Sequence, residues 1–81
     1  MKIFGYHKKY DDDVPIDLSE VTFAGDTAAI RAVAQFLIRT ADRMDQYGLN
    51  FCHEHLCDAD PEWPTDYPDV IVARPAESSP R

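Results

Sequence analysis

The chain has 81 residues, fifteen acidic side chains against eight basic ones, and a net charge of −7 at pH 7. A protein that binds a phosphate backbone needs a basic face to displace counterions, so this balance argues against direct nucleic-acid binding and suits a basic protein partner. No stretch approaches the roughly 20 apolar residues that cross a bilayer, and a hydrophobic fraction of 44% belongs to a folded chain rather than a disordered one.

A first strand is expected over residues 1–10, where Ile3, Phe4, Tyr6 and Tyr10 supply aromatic and β-branched weight. Residues 1–7 lack the apolar run of a secretory signal and read as structure, which makes the cytoplasm the expected compartment. Asp11, Asp12 and Asp13 followed by Val14 and Pro15 form a turn. A second strand is expected over residues 16–24, with a bulge near Ser19 or Glu20, because Ile16 and Leu18 are out of phase with Val21 and Phe23. The two strands read as a hairpin.

Residues 26–48 form the dominant segment, a long amphipathic helix. Its apolar stripe is Ile30, Val33, Ala34, Leu37, Ala41 and Met44, with Phe36 and Ile38 off the centre. Asp26 or Thr27 caps the start, Gly48 ends it, and Leu49 is placed to fold back on the last turn. A third strand is expected over residues 51–58, an Asp- and Pro-rich loop over 58–68, and a fourth strand over 69–73. The tail from Arg74 has nothing to bury. The predicted architecture is α+β: a ββαββ two-layer domain over residues 1–73, with one four-stranded, mainly antiparallel sheet, one long helix packed on one face, and a flexible tail at 74–81. The other sheet face must then be polar or meet a partner, and a structural homodimer through that face or through a strand edge is one way to cover it.

Three groups of residues carry candidate chemistry. On an extended strand His53, His55 and Cys57 share a side, which makes them candidate zinc ligands; the outer two lie roughly 13 Å apart at strand rise, too far for one tetrahedral ion to gather easily. A fourth ligand would have to come from elsewhere, for instance His7. Cys52 and Cys57 fall on opposite strand faces and read as free thiols, and no oxyanion-stabilising signal frames either as a nucleophile. No phosphate-cradling loop exists among the three glycines, so no cofactor is expected and the chain does not read as an enzyme. The third group is the loop itself. Trp63 and Tyr67 sit among Asp58, Asp60, Glu62 and Asp66 on a backbone stiffened by Pro61, Pro64 and Pro68, a composition suited to anchoring a protein partner; Trp63 can equally fold under as a plug on the small core.

Taken in order, Leu18-Ser19-Glu20-Val21-Thr22, the long helix, His53-Glu54-His55-Leu56, Trp63 and Pro68-Asp69-Val70-Ile71-Val72 resemble the thirty-second immunity protein family of bacterial polymorphic-toxin systems, across most of residues 1–73. The resemblance implies a non-catalytic role, binding and neutralising a cognate toxin, and does not say which residues touch it; His53, His55 and the acidic loop are the candidate contacts. Cys52 and Cys57 lie outside the family's pattern, which weighs against zinc. Two alternatives remain open, a zinc module built on the His-x-His strand and a structural homodimer.

Overall fold

The computed structural model describes residues 1–7 and 14–75. The expected Asp11–Asp13 turn, the end of the first strand at Tyr10 and most of the tail lie outside the described residues.

The helix α1 spans Thr27–Tyr47, 21 residues and about 30 Å at 1.5 Å per residue. Asp26, in extended conformation, caps it by accepting from the Ala29 amide at 2.8 Å, satisfying one of the orphan donors of the first turn. Gly48 ends it with φ at 55°, a conformation that L-residues rarely adopt, and donates its N–H to the Met44 carbonyl. A 3-10 turn over Gly48–Asn50 follows. Leu49 does not fold back on the helix: it is among the most exposed apolar residues, since the 3-10 turn carries it outward.

The expected four-stranded sheet does not form. Two separate antiparallel pairs take its place, and a second short helix is present. The pair β1 (Phe4–Gly5) and β2 (Ile16–Asp17) is the expected hairpin, with Phe4 opposite Asp17 and Gly5 opposite Ile16. One further bond, Leu18 N–H to the Ile3 carbonyl at 2.8 Å, extends it. Regular pairing ends there, so residues 19–24 carry no strand and no bulge; β-branched and aromatic residues favour a pleated surface only where a partner strand exists. The second pair joins β3 (His53–His55) to β4 (Ile71–Ala73), with His53, Glu54 and His55 opposite Ala73, Val72 and Ile71. The expected strand over 51–58 breaks at Leu56, where α2 (Leu56–Ala59) begins. The Leu56 amide donates to the Val70 carbonyl at 2.8 Å as the chain turns in.

Leu56 turns in because it is the core. It and Phe36 are 0% and 1% exposed, and with Val33 they form the buried cluster against which Trp63, Val70 and Val72 pack. Thr40 is buried on the same side of α1, and no buried side-chain nitrogen or oxygen among the described residues lacks a partner. The covered arc of α1 therefore runs through Val33, Phe36 and Thr40, rotated by about a quarter turn from the expected stripe. Of that stripe Val33 is buried and Met44 half-buried, while Ile30 and Leu37 are exposed, and neighbouring Ile38 is more exposed still at 64%. The apolar arc is broad, and residues 51–72 cover only one flank of it. The β1–β2 pair makes few contacts outside itself, leaving Phe4, Tyr6, Ile16, Leu18, Val21 and Phe23 exposed.

Two near neighbours on α1 should therefore respond oppositely to truncation. Phe36→Ala removes a fully enclosed ring and is expected to cost about 3–5 kcal/mol, while Ile38→Ala should change stability by less than about 0.5 kcal/mol. Urea unfolding followed by far-ultraviolet circular dichroism measures both; comparable losses would place the core on the other flank of α1.

Candidate functional site

The break between β3 and α2 decides where the polar side chains go. His55 is the last strand residue and Cys57 lies in the first turn of α2, with buried Leu56 between them. Asp69 stands just before Val70, whose carbonyl receives the Leu56 amide. Buried Leu56 and half-buried Val70 turn toward the core, and the polar side chains beside them, His55, Cys57 and Asp69, meet outside it. Asp69 Oδ2 lies 2.6 Å from His55 Nδ1, and Asp69 Oδ1 accepts from the amides of Cys57 at 3.1 Å and Val70 at 2.9 Å.

The electrostatics follow from these contacts. The hydrogen bond to Asp69 raises the His55 imidazole above its ordinary value; partial desolvation opposes this, and the charges of Asp69, Asp58 and Glu54 add to it. Partial burial works to raise the Asp69 carboxyl, but the His55 bond, the Cys57 amide and thiol, and the Val70 amide outweigh it and hold Asp69 below the usual carboxylate range. Cys57 is pushed up, first by desolvation and then by its hydrogen bond to Asp69. A nucleophilic cysteine needs the opposite shift, toward thiolate. Both cysteines are free and exposed. Cys52 precedes β3 and Cys57 sits on a helix, so their separation does not come from alternation along one strand.

The acidic loop forms a second place. Trp63 both plugs and presents. Its ring packs against the core cluster, its Nε1 donates to the Pro68 carbonyl at 3.0 Å, and it meets Tyr67 edge to face at 5.2 Å between centroids. Tyr67 stays exposed. Asp60 Oδ1 accepts from the Glu62 amide at 3.0 Å, and the amides of Trp63 and Tyr67 close turns onto Asp60 and Pro64. The loop lies along the first turns of α1, leaving a groove of about 280 Å³ between them. Asp26, Asp60 and Glu62 supply carboxylates to it, Trp63 and Tyr67 supply rings, and Ala28, Ala29 and Ala32 form a low helical wall. Among the described residues, no basic side chain lines it.

Of the expected contact residues, Asp60, Glu62, Trp63 and Tyr67 thus share one groove. Asp66 is exposed but not in its lining. Asp58 lines a different depression, with Arg39, Arg43 and Glu54, where Arg43 approaches Glu54 at 3.8 Å. His53 and His55 belong to the β3 cluster, their rings 5.1 Å apart. Two participants were read differently from sequence. Asp26 caps α1 and also lines the groove, and Asp69, in sequence the start of a strand and one of the acids along the loop edge, is the partner of His55. The Asp-x-x start of a long helix gives a hint of the first; nothing in local spacing announces the second, which is 14 residues from His55.

Comparison with known proteins finds no matching family model, no matching curated protein and no matching solved structure. No helix among the described residues is long and apolar enough to cross a membrane.

The His55–Asp69 pair has a predictable pH dependence. A raised imidazole contributes stability that is fully present below its unfolded value of about 6.5 and is lost as pH rises through the folded value; a depressed carboxyl contributes above its unfolded value of about 3.9 and is lost as pH falls. The contribution should therefore peak between these limits. With a chelator present, nuclear magnetic resonance titration should put His55 above the ordinary histidine range, and Asp69→Asn should lower its midpoint. An unchanged midpoint would mean the pair does not persist in solution.

Proposed function

We propose that this protein is a non-catalytic binding protein that neutralises a basic toxin by engaging it through the groove between α1 and the acidic loop. One observation carries the reading: three carboxylates and two aromatic rings converge on a groove that, among the described residues, no basic side chain lines. A lysine or arginine of a partner entering there meets opposite charge and an aromatic ring, a pairing worth more when water is displaced. Trp63 is already fixed by its bond to Pro68 and by Tyr67, so little side-chain freedom is lost on binding. The net charge of −7 draws a basic protein in from a distance.

The resemblance to immunity proteins supports the same role without identifying the toxin; a basic substrate site on that toxin is inferred from the acidity of this chain. The Cys57 thiol, held above its ordinary value, carries little thiolate at neutral pH, which favours binding over nucleophilic catalysis.

The test has two stages. The chain captures its partner from lysate of the native organism, and the captured protein is then expressed in a heterologous bacterial host with and without this chain. Co-expression is expected to restore growth. The triple variant Asp60→Asn, Glu62→Gln, Asp66→Asn should weaken binding by at least about ten-fold and abolish protection. Wild-type affinity should fall steeply with added salt. A partner bound equally well by the triple variant removes the groove from the interface; a partner that is not toxic removes neutralisation.

A further inference from the structure

The β3–α2 junction and the residue preceding Val70 place three different metal-ligating groups at one point, independently of the groove. One donor atom each from His55, Cys57 and Asp69 lies within 4.8 Å of the others. From sequence the objection to zinc was the length of an extended strand. That objection disappears because the strand ends at His55, and the first turn of α2 brings Cys57 back. His53, on the strand proper, is not in the cluster.

The geometry points to a zinc site formed by His55, Cys57 and Asp69, with solvent water as the fourth ligand. A nitrogen, a thiolate sulfur and a carboxylate oxygen are the donors that zinc takes, and three protein ligands with one open position are an established zinc arrangement. Around a tetrahedral ion these donors stand roughly 3.3–3.6 Å apart, given bond lengths of about 2.0–2.3 Å. The present atoms bracket that spacing: His55 Nδ1 and Asp69 Oδ2, at 2.6 Å, must move slightly apart, and all three donors already lie within 4.8 Å. The ion replaces the proton shared between His55 Nδ1 and Asp69 Oδ2 as the two atoms move apart; that proton and the one from the Cys57 thiol are both released to solvent.

Pre-organisation separates this cluster from a chance meeting of exposed side chains. His55 and Cys57 flank fully buried Leu56, and Asp69 adjoins Val70, which packs on the same core. The bond from the Leu56 amide to the Val70 carbonyl ties the two segments together, and the Cys57 and Val70 amides hold Asp69 Oδ1. The carboxylate is thus oriented by backbone before any ion arrives, as outer contacts orient ligands in metal sites. The ring of His53, 5.1 Å from that of His55, further limits how the His55 imidazole turns.

Cobalt(II) titration of the untagged, reduced full chain tests the site. A thiolate-to-cobalt charge-transfer band and visible bands of tetrahedral intensity are expected to saturate at one equivalent and to be displaced by zinc. Cys57→Ser should abolish the charge-transfer band, Cys52→Ser should leave it, and His55→Ala should weaken binding by more than about ten-fold, since even the loss of an outer contact costs that much. Absence of the band, or its persistence in Cys57→Ser, overturns the site. A second measurement needs no variant: zinc should slow alkylation of Cys57 in the wild-type chain by at least about ten-fold, because a metal-bound thiolate is a poorer nucleophile, while Cys52 continues to react at its own rate. Equal rates with and without zinc at Cys57, or equal protection of both thiols, also overturns it.

Discussion

The burial of Leu56 is the constraint on which the rest of this small structure depends. Its side chain is fully enclosed against Val33 and Phe36 of the long helix, and its amide is committed to the Val70 carbonyl. That bond still belongs to the β3–β4 register, in which Leu56 faces Val70, but the strand goes no further. The chain instead turns into α2, and that turn shapes the polar surface on either side: His55 and Cys57 are thrown together with Asp69, and the segment from Asp60 onward is delivered to the first turns of α1. In a chain of this length few apolar residues are enclosed, so each carries a large share of the stability and of the positional precision.

The long helix was legible because its signals are local. A capping aspartate, an uninterrupted run of helix-forming residues and a glycine at the end specify it without reference to anything distant. Which flank it buries was not legible, because Ile30, Leu37 and Ile38 are as apolar as Val33 and Phe36, and the choice between them is made by residues 51–72. The first hairpin was read in its pairing and over-read in its length: Val21 and Phe23 have strand character but no strand to join. The helical turn at Leu56–Ala59 is too short to show a period of 3.6 residues, so its composition passed for the continuation of a strand.

The candidate sites divide along the same line. The acidic loop could be read as a loop with anchoring aromatics, because proline, aspartate and tryptophan carry that meaning in any context. The other wall of its groove could not, since Asp26 reaches it from the far end of another element. The chemistry of His55 was visible only in part. Its true neighbour, Asp69, is fixed by the pairing of His55 with Ile71, a register set across an intervening helix and loop. A carboxylate two residues short of that register position has no sequence signature of its own.

The unequal attachment of the two strand pairs has a dynamic consequence. The β3–β4 pair is fastened to the core by Val70, Val72 and Leu56, whereas β1–β2 is held chiefly by its own few hydrogen bonds and contributes nothing to the enclosed cluster. Opening the first pair exposes little that was hidden, so its free energy of opening lies well below that of the whole chain. The molecule therefore has two thresholds rather than one: residues 26–73 share the enclosed cluster, and the β1–β2 pair can open without disturbing it. A partner that covers its exposed aromatic residues would gain affinity by ordering it, and would be felt as a loss of amide exchange far from any charged contact.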